Sequence, residues 1–220
     1  MAEWIQIFLV LTPFMAWFFV GVGVPWALAI LPRHDWQDRS IVFAVGLALG
    51  PLFGTLWLFL LGTFFHFSVL GALGGTIAIS CLGMWLAWRR WQQPYQSTMA
   101  AYPERRPFIA LERILWLMMT IGFAACVWDT AFWPFLRYDT LWTFGYNARV
   151  FILEDRIPTY IDYYPQLVPL TFTYGQLIWG EANDHAARAA VPWFILSSAL
   201  SAYVLGWRVY GQRIIGTLTA

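Results

Sequence analysis

The sequence predicts an all-α integral membrane protein, with about five transmembrane helices and with interfacial helices in one large outer loop. Of its 220 residues, 60% are hydrophobic and only 11% are charged, whereas about a quarter of a soluble domain is charged. Several apolar runs reach about 18 residues, the length at which a helix can cross a bilayer. The short alternating strands of a membrane β-barrel are not visible in the sequence. The net charge of +1, without a basic cluster, gives no sign of nucleic-acid binding.

Five spans are predicted, at about residues 6–31, 41–63, 67–88, 112–135 and 189–207. Pro13 and Pro25 interrupt the first of them, which is tolerated in lipid where neighbouring groups satisfy the exposed backbone. The second span contains Gly46, Gly50 and Gly54 at a spacing of four residues. This spacing predicts a small-residue face that another helix can approach closely.

The arginines predict the orientation of the chain. Three connectors on one side contain nine arginines, and they are residues 32–40, 89–113 and 208–213. The other side contains four, which are Arg137, Arg149, Arg156 and Arg188. Because arginine-rich connectors stay in the cytoplasm, the N-terminus and an outer loop of residues 136–188 are expected on the extracytoplasmic side of an inner or plasma membrane, in a multi-pass protein.

The chain is expected to divide at one polar connector. Residues 1–88 form a three-span region, residues 89–111 a cytoplasmic connector with three prolines, and residues 112–220 a two-span region that contains the outer loop. The final residues, "YGQRIIGTLTA", look like a basic turn followed by the start of another apolar run. We therefore expect the chain to be a fragment of a longer protein.

Two helices are predicted in the outer loop. On a helix over residues 139–155, one stripe contains Asp139, Thr143, Asn147 and Glu154, and the opposite side contains Leu141, Phe144, Ala148, Phe151 and Ile152. Such a helix would lie in the membrane surface with its acids facing water. Residues 166–180 are apolar but short, so they form either a second interfacial or re-entrant helix or a sixth span, which would reverse the side of everything after it.

Four features follow one another in the second half of the chain. They are a span ending in Tyr-Asp, a surface helix with "ARVFILEDRIP", then "YYPQLVPLTF", and then "NDHAARAAVPWF" entering a span. In this order they resemble the GT-C glycosyltransferases, which include the protein O-mannosyltransferases and the bacterial lipid-A aminoarabinose transferases. The resemblance covers about residues 112–215. The three helices in front resemble the extra N-terminal spans of many bacterial members.

The resemblance implies a concrete reaction. Such enzymes move a sugar from a polyprenyl-phosphate carrier to an acceptor on the outer face, usually with inversion, and an acid just after a span acts as general base. Asp139 stands in that position, where a carboxylate can take the proton of the attacking hydroxyl. Arg149, Arg156 and Arg188 are candidates for binding the departing phosphate. Asp129, near the end of a span, is a further candidate substrate-binding residue.

The implied partners are a lipid-linked sugar donor, membrane lipids and, in a larger assembly, other membrane subunits. Some members of the family also use a divalent cation, which the sequence neither requires nor excludes, and no set of metal ligands is predicted. Members often carry paired acids immediately after the span. Here Thr140 follows Asp139, which departs from that pattern.

Each candidate residue also has a structural interpretation. Asp139 could be an interfacial carboxylate paired with Arg137. Asp129, if buried at a span end, could be satisfied by a partner on another helix. Arg149 and Arg156 could form surface ion pairs, for which the nearby acids are Glu154, Asp155 and Asp162.

The alternative function is that of a non-catalytic subunit, descended from the GT-C fold, in a large respiratory or photosynthetic membrane complex. Its glycine-rich and aromatic faces would then pack against other spans. A pigment is expected only under this alternative. His66, at a span end, is either an interfacial residue or a ligand of a pigment or haem metal. His34 and His185 are expected to face solvent.

Overall fold

The computed structural model describes residues 2–94, 109–161 and 166–220, and every regular element in these three ranges is helical. The α-helices, in chain order, are α1 (Glu3–Ala16), α2 (Gly23–Ile30), α3 (Arg39–Phe64), α4 (Val69–Gln92), α5 (Ala110–Phe132), α6 (Gly145–Glu154), α7 (Leu167–Trp179), α8 (Asp184–Arg188), α9 (Val191–Tyr210) and α10 (Arg213–Thr219). A 3₁₀ turn spans Arg33–Gln37, and π-helical turns span Trp17–Gly21 and Thr140–Phe144.

Five helical segments of the described chain are long and apolar enough to cross a membrane. They are Glu3–Ile30, Arg39–Phe64, Val69–Gln92, Ala110–Phe132 and Asp184–Tyr210. The helical fold class and the five predicted helices are therefore confirmed, and their length and composition suit a multi-pass membrane protein. Of the predicted connector 89–111, residues 95–108 lie outside the described ranges.

The first span is irregular between its two prolines. A π-helical turn spans Trp17–Gly21, shortly after Pro13. Pro25 has no N–H with which to bond the carbonyl of Gly21, four residues before it. The hydroxyl of Ser80 on α4 donates to that carbonyl instead, at 2.7 Å. The neighbouring helix thus satisfies the backbone group that the proline leaves open, as expected for an interrupted helix in lipid.

The glycine face of α3 is the place where the first span comes close. A Cβ atom at Gly50 would lie 2.2 Å from the backbone oxygen of Phe19, and one at Gly54 would lie 2.5 Å from the ring of Phe18. A Cβ atom at Gly46 would lie 3.0 Å from the side chain of Val24 on α2. The predicted close approach is confirmed, and its partner is the first span.

Hydrogen bonds group the connectors at two ends of the helical bundle. At one end, Arg33 donates to the carbonyl of Gln93 at 2.7 Å, and Arg208 forms an ion pair with Asp35. At the opposite end, the N–H of Ile157 in the outer loop donates to a carbonyl in the last turn of α3 at 2.9 Å. The connectors therefore lie at alternating ends of the bundle, as the sequence predicts. That the arginine-rich end lies in the cytoplasm stays a prediction.

α7 lies inside the bundle. Its 13 residues rise about 20 Å, less than the hydrocarbon core of about 30 Å, and it is not among the five segments that could cross a membrane. Residues 169–176 are all buried, and α7 packs against α1, α3, α6 and α8. The short length of α7 argues against the sixth span, and its interfacial or re-entrant position in a membrane stays a prediction.

The outer-loop helix is confirmed, but part of its predicted face is wrong. Residues 138–154 are helical, close to the predicted 139–155. Ala148 and Phe151 are fully buried against protein, with the Phe151 ring 6.4 Å from that of Phe67. Asn147, predicted to face water, is 7% exposed, whereas Leu141, predicted on the apolar side, is 42% exposed. The π-helical turn explains this difference, because it inserts one residue and rotates the later residues by about 100°.

Candidate functional site

A cavity of about 380 Å³ opens at the end of the bundle that carries the outer loop. Its polar wall consists of Asp129, Arg137, Thr140 and Arg188. Its apolar wall consists of Trp133, Phe135, Leu136, Phe144, Phe172 and Val191. Charged groups beside a broad apolar surface suit an amphiphilic ligand with a small polar head.

The cavity forms where α5 ends. Pro134 cannot continue the helix past Phe132, and the carbonyl groups at a helix end need donors from elsewhere. Two donors come from α8: the ring Nδ1 of His185 lies 3.0 Å from the carbonyl oxygen of Ala131 in the last turn, and Arg188 donates to the carbonyl of Pro134, just past the helix. Because a carbonyl only accepts, Nδ1 of His185 carries a proton.

Polar side chains in and next to α8 connect it to α5 and to α6. Asn183 precedes it, and its side-chain oxygen accepts a hydrogen bond from a backbone N–H of the first turn at 2.9 Å. Asp184 forms an ion pair with Arg149 of the outer-loop helix at 2.8 Å. Arg188 forms one with Asp129 of α5 at 3.3 Å. The polar residues of the "NDHAAR" motif therefore join α5, α6 and α8.

Asp139 lies beside the cavity rather than in its wall. It is exposed, in the first turn of the outer-loop helix, and its neighbours Arg137 and Thr140 line the cavity while it does not. Among the described residues, the carboxylate of Asp139 has no hydrogen-bond or ion-pair partner, so the suggested pair with Arg137 is not formed there. Its carboxylate is accessible to a second molecule.

The three arginines predicted to bind phosphate have different surroundings. Arg188 lines the cavity, is held by Asp129, and has 13% of its side chain exposed. Arg149 pairs with Asp184, 35 positions later, and not with the acids close to it in sequence. Arg156 is exposed and has no ion pair within the described ranges; residue 162, one of its suggested partners, lies outside them. The structure thus brings only Arg188 of the three to the cavity.

The acids close to Arg149 and Arg156 in sequence have other partners. Glu154 accepts a hydrogen bond from the hydroxyl of Tyr160, and this bond raises the pKa of that hydroxyl above its ordinary value. Asp155 lies 3.4 Å from Nδ1 of His66. In the part of the chain that the structure describes, no three His, Cys, Asp or Glu side chains are close enough to hold a metal ion.

Two cavity residues, Arg137 and Thr140, are not among the site residues predicted from sequence. The only signal for them is that they adjoin Asp139 in the chain. The expectation that His185 faces solvent is wrong, because its ring is hydrogen-bonded to the end of α5. A single histidine in a polar segment gives no sign that the segment folds into a helix against another span.

No protein-family model, curated protein or solved structure matches the chain. Its function is therefore inferred from the order of the sequence motifs and from the geometry of the cavity.

Proposed function

We propose that the chain is a membrane glycosyltransferase of the GT-C type, which moves a sugar from a polyprenyl-phosphate donor to an acceptor on the extracytoplasmic face. The order of motifs along residues 112–215 supports this proposal. The observation that carries it is the cavity, which has one charged wall and one apolar wall. Residues on both sides of Asp139 in the sequence line this cavity. A lipid-linked phosphate needs both kinds of wall.

In the proposed reaction, Asp139 is the general base. Its carboxylate takes the proton of an acceptor hydroxyl while the hydroxyl oxygen forms a bond to the anomeric carbon of the sugar. The bond between that carbon and the phosphate oxygen breaks, and polyprenyl phosphate leaves with the electron pair. Attack opposite the leaving group inverts the anomeric centre. The exposed position of Asp139 leaves its carboxylate open to an acceptor.

The leaving phosphate gains negative charge as the bond breaks, and positive groups beside it lower the barrier. Arg137 and Arg188 are the two arginines in the cavity wall. Arg149 and Arg156 do not line the cavity. In this proposal they therefore do not contact the phosphate.

Replacement of Asp139 by asparagine tests the proposal. Asn is similar in size but cannot take the proton, so Asp139→Asn should lower sugar transfer by about 10²–10⁴-fold without changing the amount of protein in the membrane. The assay follows radiolabel from polyprenyl phosphates that carry mannose, glucose or aminoarabinose in membranes containing the chain. Unchanged transfer in the variant would remove Asp139 from the mechanism, and no transfer by the wild-type chain would contradict the proposed activity.

The exposed face of α5 favours a second candidate, a non-catalytic subunit of a larger membrane complex. Only 6% of the spanning part of α5 is buried within the chain, and Leu117, Met118 and Ile121 are 60%, 63% and 61% exposed. In a membrane, lipid or other helices cover such a face. Purification in a mild detergent separates the two candidates: partner subunits or pigment in fixed stoichiometry support the second, and a chain that is active alone contradicts it.

A further inference from the structure

The cavity wall contains two arginines and one aspartate, so it has a net charge of +1. Its charged residues are Asp129, Arg137 and Arg188. Arg188 is paired with Asp129 at 3.3 Å, and 13% of its side chain is exposed. It also donates to the carbonyl of Pro134. Because these bonds fix Arg188 in the wall, the positive charge left for a ligand belongs to Arg137.

Arg137 differs from the other arginines at this end of the bundle. It is exposed, lines the cavity, and makes no ion pair with any residue that the structure describes. Arg149 is engaged by Asp184 at 2.8 Å, and Arg156 does not line the cavity. A bound anion could therefore pair with Arg137 without breaking an ion pair among the described residues.

The residues around Arg137 suit an anion that is attached to a hydrocarbon chain. Thr140 adds a hydroxyl donor to the wall. Trp133 and Leu136 also line the cavity and are 47% and 63% exposed, so apolar surface is open beside the charge. A guanidinium binds phosphate through two parallel hydrogen bonds, and aromatic and aliphatic side chains bind the hydrocarbon.

We propose that Arg137 binds the phosphate group of a lipid-linked phosphate in this cavity, with Thr140 as a second donor. The inference rests on the proposed function for the class of ligand. It names a phosphate contact that differs from Arg149, Arg156 and Arg188, the three arginines that the sequence favours. Arg188, held by Asp129, then contributes positive charge to the wall, while Arg137 makes the direct contact with the phosphate.

Equilibrium binding to the full chain in phosphatidylcholine nanodiscs tests this inference. Three probes separate the possible ligands: farnesyl phosphate, its uncharged alcohol farnesol, and inorganic phosphate. The wild-type chain should bind farnesyl phosphate at least about tenfold more tightly than it binds either of the others. Arg137→Gln should weaken the binding of farnesyl phosphate by about tenfold and leave the binding of farnesol unchanged.

Arg156→Gln is the matched control, because it removes the same charge from the same end of the bundle outside the cavity wall. It should change the affinity for farnesyl phosphate by less than about twofold, since exposed charges act weakly at a distance in salt. Equal losses in the two variants would overturn the inference, as would equal wild-type affinity for farnesyl phosphate and farnesol. Equal affinity for inorganic phosphate and farnesyl phosphate would contradict the proposal that the ligand is linked to a lipid.

Thr140→Val provides a second variant, which should weaken farnesyl phosphate binding in the same direction but less than Arg137→Gln does, because it removes a neutral donor. Binding that requires Arg137 in a chain that transfers no sugar would support this inference and contradict the proposed function. Sugar transfer that persists undiminished in Arg137→Gln would support the proposed function and contradict this inference.

Discussion

The hydroxyl of Tyr174 is buried in the middle of α7 and has no hydrogen-bond partner among the described residues. The ring of Tyr174 packs on that of Phe18, with 4.4 Å between their centroids. The aromatic ring therefore stabilises the contact between α7 and the first span. The hydroxyl opposes folding, because it loses its hydrogen bonds to water without replacement.

The opposite contributions of the ring and the hydroxyl predict the effects of two substitutions at position 174. Tyr174→Phe should leave the free energy of unfolding unchanged or raise it by about 1 kcal/mol, because it removes only the hydroxyl. Tyr174→Ala should lower it by about 3–5 kcal/mol, because it also removes the ring. The measurement is the midpoint of thermal unfolding in detergent. A clear loss of stability in Tyr174→Phe would show that the hydroxyl has a partner.

Arg188 is predicted to stabilise the fold at the outer end of the bundle. Arg188→Met removes the donor to the carbonyl of Pro134 and the ion-pair partner of Asp129. The free energy of unfolding should fall by about 1–3 kcal/mol. Arg156→Met, at an exposed position, should change it by no more than about 0.5 kcal/mol. Thermal unfolding of both variants checks this, and equal stability of the two would contradict the role of Arg188.

Part of the candidate site was predictable at the level of single residues. Asp129, Asp139 and Arg188 are identifiable in the sequence because charged residues next to apolar spans are few. The sequence does not show that Arg137 lines the cavity or that Arg149 and Arg156 lie outside it. The ion pairs that decide this join residues 35 and 59 positions apart, and such pairs depend on how the helices pack.

At the scale of helices, the close contact at the glycine face of α3 predicts a loss of stability on substitution, and a glycine of α4 without such a contact provides the control. A Cβ atom at Gly50 would meet backbone oxygens of the first span at 2.2 Å and 2.7 Å, and backbone cannot move aside cheaply. Gly50→Ala should therefore destabilise the protein by about 1–3 kcal/mol. Gly74 on α4 has no atom within 4 Å of such a Cβ, so Gly74→Ala should stabilise it by about 0.5–1 kcal/mol.

Thermal unfolding of the two alanine variants measures this difference. The substitutions are chemically identical and both lie inside a predicted span, so that helix propensity changes in the same direction in both. Opposite shifts in the unfolding midpoint are expected. Shifts of the same sign and size would contradict the close approach of the first two spans.

The helices themselves were predictable, whereas two details of the outer loop were not. Long apolar runs determine the five spans because each run matches the thickness of a bilayer. The face of the outer-loop helix depends on the π-helical turn at Thr140–Phe144, and no residue pattern there signals that turn. The position of α7 depends on the surrounding helices that bury it, which a short apolar segment does not reveal.

At the scale of the whole molecule, the arginine distribution predicts which end of the bundle lies in the cytoplasm. Gln93 is exposed at the arginine-rich end and Thr159 is exposed at the opposite end. Gln93→Cys and Thr159→Cys, each made with Cys81 and Cys126 replaced by alanine, place one thiol at each end. A membrane-impermeant maleimide should label Thr159→Cys in intact cells, and should label Gln93→Cys only after permeabilisation. The reverse pattern would overturn the orientation.

Sugar transfer by the wild-type chain, Asp139→Asn and Asp155→Asn in matched membranes tests the central claim most directly. Asp155 is a suitable control because it is an exposed acid of the same loop, 3.4 Å from His66 and outside the cavity wall. We expect similar transfer rates for the wild-type chain and Asp155→Asn, and a rate lower by about 10²-fold or more for Asp139→Asn. Equal rates in all three, or equal losses in the two variants, would contradict the proposed catalytic role of Asp139.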